Sequence, residues 1–219
     1  SDIVGHTSVT LPMARQLRLA LAVGGYLTRS GRSYVVTTFT KEQVEEWRLA
    51  LGAIVEIGAL RLAIVGGKKL EAVSQFLEAN VRSHDVEEEA FFLGAIAFTT
   101  VILGGRGSTL SELVEESIPQ AFFRLLWLAD VYAKRTGFLV EASDRYLTAA
   151  KAKDLEGVRT ACRFFFDSVA PALHTLIEQM AAGSYPKNDK QDGFQSIEPQ
   201  LSGMPTYTGS SRATKPLFS

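Results

Sequence analysis

From Thr40 to about residue 182 the chain keeps an apolar repeat of helical period, and this most restricts what it can fold into. Val44, Trp47, Leu51, Ile54, Val55, Gly58 and Leu62 recur three and four residues apart, the spacing that places side chains on one helix face. Thr40 with Gln43 three residues on forms a capping-box pattern at the start. This first helix should end near "VGGKK". "KLEAVSQFLEANVRS" reads as a second helix. "VEEEAFFLGAIAFTTVIL" reads as a third, apolar on nearly all sides and therefore central. "TLSELVEESIPQAFFRLLWLADVYAKRTG" opens on a Thr109 to Glu112 capping box, and Pro119 should kink or split it. "FLVEASDRYLTAAKAKD" follows. In the last helix Val158, Ala161, Cys162, Phe165, Val169, Leu173 and Leu176 share one face, and Pro171 should bend it. Such a succession of one-sided helices buries its apolar faces by packing helix on helix.

A different pattern precedes this region. "LPMARQLRLALAVGGYL" reads as a short helix with Pro12 in its first turn, closed by Gly24 and Gly25. "YLTRSGRSYVV" reads as two short strands around Ser30 and Gly31. After Gly183 the sequence turns rich in Pro, Gly, Ser and Gln without a period, as in an extended or disordered tail. There is no internal repeat. The division expected is 1–36, 37–183 and 184–219.

Charge follows this division. The net charge is −1, yet residues 1–36 carry +3, residues 37–183 carry −5 and the tail +1. A basic head on an acidic body fits a head that meets a polyanion. The single cysteine, Cys162, excludes an internal disulfide and a multi-cysteine zinc site; it fits a reducing cytoplasm, and on its apolar face it reads as a small hydrophobe. The chain starts at Ser1, as a processed, tagged or truncated chain would, and shows no signal peptide. Residues 90–105 form an uncharged run of 16 residues, short of the about 20 a membrane span needs; a buried helix is the main reading and a membrane segment the lesser one.

No set of side chains announces catalysis. Glu87, Glu88 and Glu89 are consecutive, so they fan around a helix start, where they favour the dipole. "GGRG" at residues 104–107 follows a helix and not a strand, unlike a phosphate cradle. The phenylalanines at 91, 92, 98 and 164 to 166 suit a core. Arg15, Arg18, Arg29 and Arg32 are either solvated or contacts to nucleic acid. Arg124, Arg159 and Arg163 lie on helices with apolar faces; one turned inward could hold a carboxylate or phosphate.

Several of these stretches, in this order, resemble the GntR superfamily of bacterial transcription regulators, in the branch with a FadR-type C-terminal (FCD) effector domain. "PMARQLRLALAVGGYL" looks like its recognition helix and "GRSYVV" like its wing strand. "EIGALRLA" looks like the first effector helix. "SDRYLTAAKAKDLEGVRTACRFFF" looks like the step between the last two helices, with Asp154 at the family's aspartate. The resemblance covers roughly residues 8–182. It implies an all-α effector bundle of about six helices, preceded by a partial winged-helix head with a short β-hairpin.

Many such effector domains hold a metal with one aspartate and three histidines. The corresponding positions here are Glu88, Phe92, Ser143 and Phe165, and none of His6, His84 and His174 falls on them. The resemblance therefore implies a cavity without metal or other cofactor, lined by Phe92, Ser143 and Phe165, for a small, partly apolar organic acid or acyl effector; Arg124 and Arg163 are the candidate anion partners. At Ser143 a helix-cap role competes. The head departs as well. Ala14 stands where the family has a DNA-reading arginine, and little chain precedes the recognition helix. What the resemblance implies is a non-enzymatic, cytoplasmic, homodimeric regulator that contacts operator DNA through Arg15, Arg18, Arg29 and Arg32 and has no membrane partner. The alternative is an effector-binding or interaction bundle that has lost DNA binding.

Overall fold

A computed structural model describes residues 10–85, 89–132 and 137–182, which fall within one compact unit. Among the described residues the chain is mostly helical with one two-stranded antiparallel hairpin. The expected tail at 184–219, Glu87, Glu88 and His6 lie outside the described residues.

Helix α1 spans Leu11–Val23 with Pro12 in its first turn. It stops where expected. Gly24 is the C-cap, Gly25 takes φ +78°, and the Tyr26 amide donates back to the Leu21 carbonyl at 2.8 Å, a glycine-dependent ending. Strands β1 (Leu27–Ser30) and β2 (Ser33–Val36) pair with Ser30 opposite Ser33. The two-residue turn is therefore Gly31 and Arg32, one residue later than the Ser30 and Gly31 read from the sequence. Gly31 alone takes a positive φ, +60°, as the first turn position of a type II′ hairpin requires.

Helix α2 (Lys41–Val65) begins with the full Thr40 and Gln43 capping box. Helix α3 (Gly67–Leu77) runs into a π-helical turn, Glu78–Arg82. Helix α4 (Glu89–Ile102) buries Phe91, Phe92, Phe98 and Ile102 but leaves Leu93 exposed. From Gly94 to Ile102 no residue of it is exposed, in keeping with a central helix. It packs against the π turn so closely at Gly94 that a Cβ there would run into the Asn80 carbonyl. Helix α5 (Thr109–Ser117) is capped by Ser108, whose Oγ accepts from the Ser111 amide at 3.2 Å. Thr109 is the first helical residue and not the cap. Pro119 splits the predicted long helix, and α6 (Gln120–Tyr132) follows. Helix α7 (Phe138–Ala152) joins α8 (Leu155–Ala181) through two residues: Lys153 in the left-handed region and Asp154, whose carboxylate caps α8 at the Gly157 amide, 2.9 Å. Pro171 sits within α8. Among the described residues no helix is long and apolar enough to cross a membrane.

Among the described residues two apolar clusters form the interior. Val44, Leu51 and Ile54 of α2 meet Phe122 and Leu126 of α6 and Phe166, Val169 and Leu173 of α8. Ala59 and Ala63 of α2 meet α3, α4, α7 and the first half of α8 at Leu77, Phe98, Tyr146 and Val158. Helices α2 and α8 run through both clusters. Arg48, buried on α2, ties the two together: its guanidinium donates to Glu45 at 2.6 Å and to Asp167 at 3.1 Å. The head joins this body at α6, where the Ala121 amide donates to the Gly24 carbonyl at 3.1 Å.

Candidate functional site

At the seam between the two clusters lies a cavity of about 100 Å³. Leu51 and Phe166 of the first cluster and Phe91, Phe98 and Cys162 of the second face it. Phe92 of α4, Ser143 of α7 and Phe165 of α8 all line it. The structure thus brings together three residues singled out from three separate helices. Ser143 is buried in the middle of α7, and its hydroxyl donates to the Leu139 carbonyl at 2.7 Å. It is a cavity residue and not a helix cap.

The two arginines expected to meet an anion do not line the cavity. Arg124 of α6 lies behind its wall. Its guanidinium is 4.6 Å from the ring centres of both Phe92 and Trp127, two rings that line the cavity, and it donates to Glu89 at 2.6 Å. A cation over two aromatic faces holds their orientation. Arg124 also borders a groove of about 300 Å³ shared with Tyr26, Val36 and Leu176. Arg163 has a side chain 64% exposed and lies 3.5 Å from Glu56, which also has Arg159 at 3.4 Å. Its placement two residues before Phe165 turns it to solvent.

Asp130, Tyr146 and Thr99 also line the cavity and were missed by sequence reasoning, whereas Cys162, read as a small hydrophobe, is buried there. Asp130, 2% exposed, sits near the end of α6 and accepts from the Phe138 amide at 2.8 Å. It thereby satisfies the start of α7, whose own N-cap, Gly137, has no side chain to do so. Burial pushes its carboxyl up from 3.8 to about 6, against the lowering effect of the Phe138 and Leu139 amides. Cys162 is a buried thiol pushed up to about 12, first by burial and then by Glu56, so at neutral pH it is no nucleophile. Tyr146, 3% exposed, has a buried hydroxyl without a hydrogen-bond partner. A signal for Tyr146 was present, because it lies one turn after Ser143 on the same face of α7. Asp130 showed only as a lone acid in the apolar run "LLWLADVY".

A metal does not fit this donor set. Phe92 and Phe165 offer no ligand atom, and the Ser143 hydroxyl is engaged with its own helix. Among the described residues no group of three His, Cys, Asp or Glu side chains could hold an ion. His174 lies 3.5 Å from Glu45, and neither residue lines the cavity.

On the head, Arg15, Arg18, Arg29 and Arg32 are all exposed. Arg18 stacks over the Tyr34 ring at 4.9 Å, and Arg29 donates to the Gly31 carbonyl at 3.1 Å across the turn. Arg32 occupies the turn itself. Ala14 is the buried residue of α1, while Leu11, Met13, Leu17 and Leu19 are exposed. No family model, no curated protein and no solved structure matches the chain.

Proposed function

We propose that the protein is a ligand-responsive, non-enzymatic DNA-binding regulator, in which the cavity senses a small, largely apolar compound without metal and the basic hairpin meets the operator. The observation that carries this reading is the convergence of Phe92, Ser143 and Phe165 on one cavity. These positions were chosen by resemblance to the FCD effector domain alone, and three independent helices bring them together. A concave, mainly apolar site with a few polar groups between helices is the usual form of a small-molecule site. Arg15 and Arg32 on the head are the residues offered to phosphates, with Arg18 and Arg29 bracing the hairpin. Exposed Leu11, Met13, Leu17 and Leu19 on α1 supply apolar surface for a homodimer, which a two-half-site operator would require.

The test is selection of duplexes from a randomised library by the full chain, then fluorescence anisotropy of the selected duplex over a range of salt. Binding should weaken steeply with salt. Arg32→Ala should lower affinity and reduce the slope by about one phosphate contact. A chain that retains no duplex even at low salt contradicts the regulator reading. A second reading, an effector-binding body that has lost DNA binding, is favoured by one observation: Ala14, at the position of the family's DNA-reading arginine, faces inward.

A further inference from the structure

The polar groups around the cavity decide what chemistry it can hold. Ser143 and Thr99 donate their hydroxyls to helix carbonyls, Leu139 at 2.7 Å and Ala95 at 2.9 Å. Asp130 accepts from the start of α7. Among the described residues no lysine, arginine or histidine lines the cavity. An anionic ligand would therefore enter an apolar site beside the Asp130 carboxyl with no counter-charge, which is strongly unfavourable. Tyr146 differs from the rest. It lines the cavity, is 3% exposed, and its hydroxyl is buried without a partner. Buried polar groups are ordinarily paired, and one left unpaired calls for a reason. Burial, with Cys162 as the second cause, raises the phenol well above its ordinary value; it stays protonated, so it is a hydrogen-bond donor.

We infer that the cavity binds a small, uncharged, mostly apolar carbonyl compound whose oxygen accepts a hydrogen bond from the Tyr146 hydroxyl, while its hydrocarbon part packs against Phe92, Phe98 and Phe166. The volume of about 100 Å³ is below that of an engineered apolar cavity that takes benzene, so the enclosed part of the ligand has at most about six heavy atoms. This inference rests on the cavity being the sensor site, and it replaces the acid expected from the sequence with a neutral acceptor.

Isothermal titration calorimetry on the full chain tests it with three ring compounds matched in size, each of about six heavy atoms: cyclopentanone, methylenecyclopentane and cyclopropanecarboxylate. The ketone should bind the wild type, and Tyr146→Phe should weaken it about tenfold, the worth of one hydrogen bond. Methylenecyclopentane, which has the shape without the acceptor, should bind Tyr146→Phe at least as tightly as the wild type, and this also shows that the variant keeps its cavity. The carboxylate should not compete with the ketone. Ketone affinity unchanged by Tyr146→Phe, or carboxylate binding tighter than ketone, overturns the inference and leaves the sensor reading standing. If neither ring compound binds the wild type, both fall.

Discussion

Asp130 illustrates how one side chain can serve structure and titrate in a range that matters. Its carboxylate completes the start of α7, and the amides it meets favour the charged form; burial in the apolar seam opposes this and wins, so the group titrates near 6 instead of 3.8. Between those two values the folded chain holds a proton that the unfolded chain has released. Folding stability should therefore fall as pH rises from about 4 to about 6, by about 3 kcal/mol for a shift of this size, and level off above. Asp130→Asn keeps an acceptor for the Phe138 amide and removes the titration. Urea denaturation of both proteins across this window should show the slope in the wild type and its loss in the variant. An equal slope in both would assign the titration to another group. At this scale the sequence was only partly readable. Phe92, Ser143 and Phe165 were singled out only by the resemblance to the FCD effector domain; periodicity alone marks the two phenylalanines as core and says nothing of a cavity at Ser143. Arg124 and Arg163 do not reach the cavity because an arginine on an apolar helix can carry its head elsewhere, over the outer faces of Phe92 and Trp127 for Arg124 and into solvent for Arg163. Which way it turns depends on Glu89 and Glu56, partners brought in from other helices.

The helices were legible where local chemistry sets their limits. Thr40 and Gln43 close α2 through contacts within four residues, Pro119 removes a donor and ends α5, and Gly25 permits the left-handed turn after α1. Errors of one residue arose where two adjacent residues could play the same part. Ser108 and Thr109 are both good caps, but Ser108 also donates to the Leu103 carbonyl at 2.9 Å, which fixes it as the boundary. Ser108→Ala should cost about 1 to 2 kcal/mol of stability and Thr109→Ala much less. Thermal melts of the two variants check the assignment, and the reverse order would return the cap to Thr109. Likewise the hairpin turn centres on Gly31 and Arg32 because Ser30 pairs with Ser33, a register that alternation over such short strands could not fix. The central place expected for α4 holds from Gly94 on, where no residue is exposed and the helix packs closely on the π turn; only its start, with Leu93, lies outside.

Over the whole molecule, the cavity lies where two apolar clusters meet, and α6 touches both it and the head. Phe123, Leu126, Trp127 and Asp130 of α6 line the cavity. The other end of the same helix donates from Ala121 to the Gly24 carbonyl, and Pro119 before it lies against Gly25. A ligand that spreads the α6 side of the cavity would bear on the turn that joins α1 to the hairpin, within a single rigid element and without an intervening loop. For the proposed regulator this gives a quantitative expectation. If saturating cyclopentanone changes duplex affinity by some factor, saturating duplex must change ketone affinity by the same factor, since both measure one coupling free energy. The factor should fall in the ordinary range of about 5 to about 150. Anisotropy of labelled duplex with and without ketone gives one value, and calorimetry of ketone with and without duplex gives the other. Equality of the two, together with a factor reduced by Tyr146→Phe at the same ketone concentration, would join the cavity to the head. Intact binding of both partners with a factor of one would separate them and leave α6 a structural helix only.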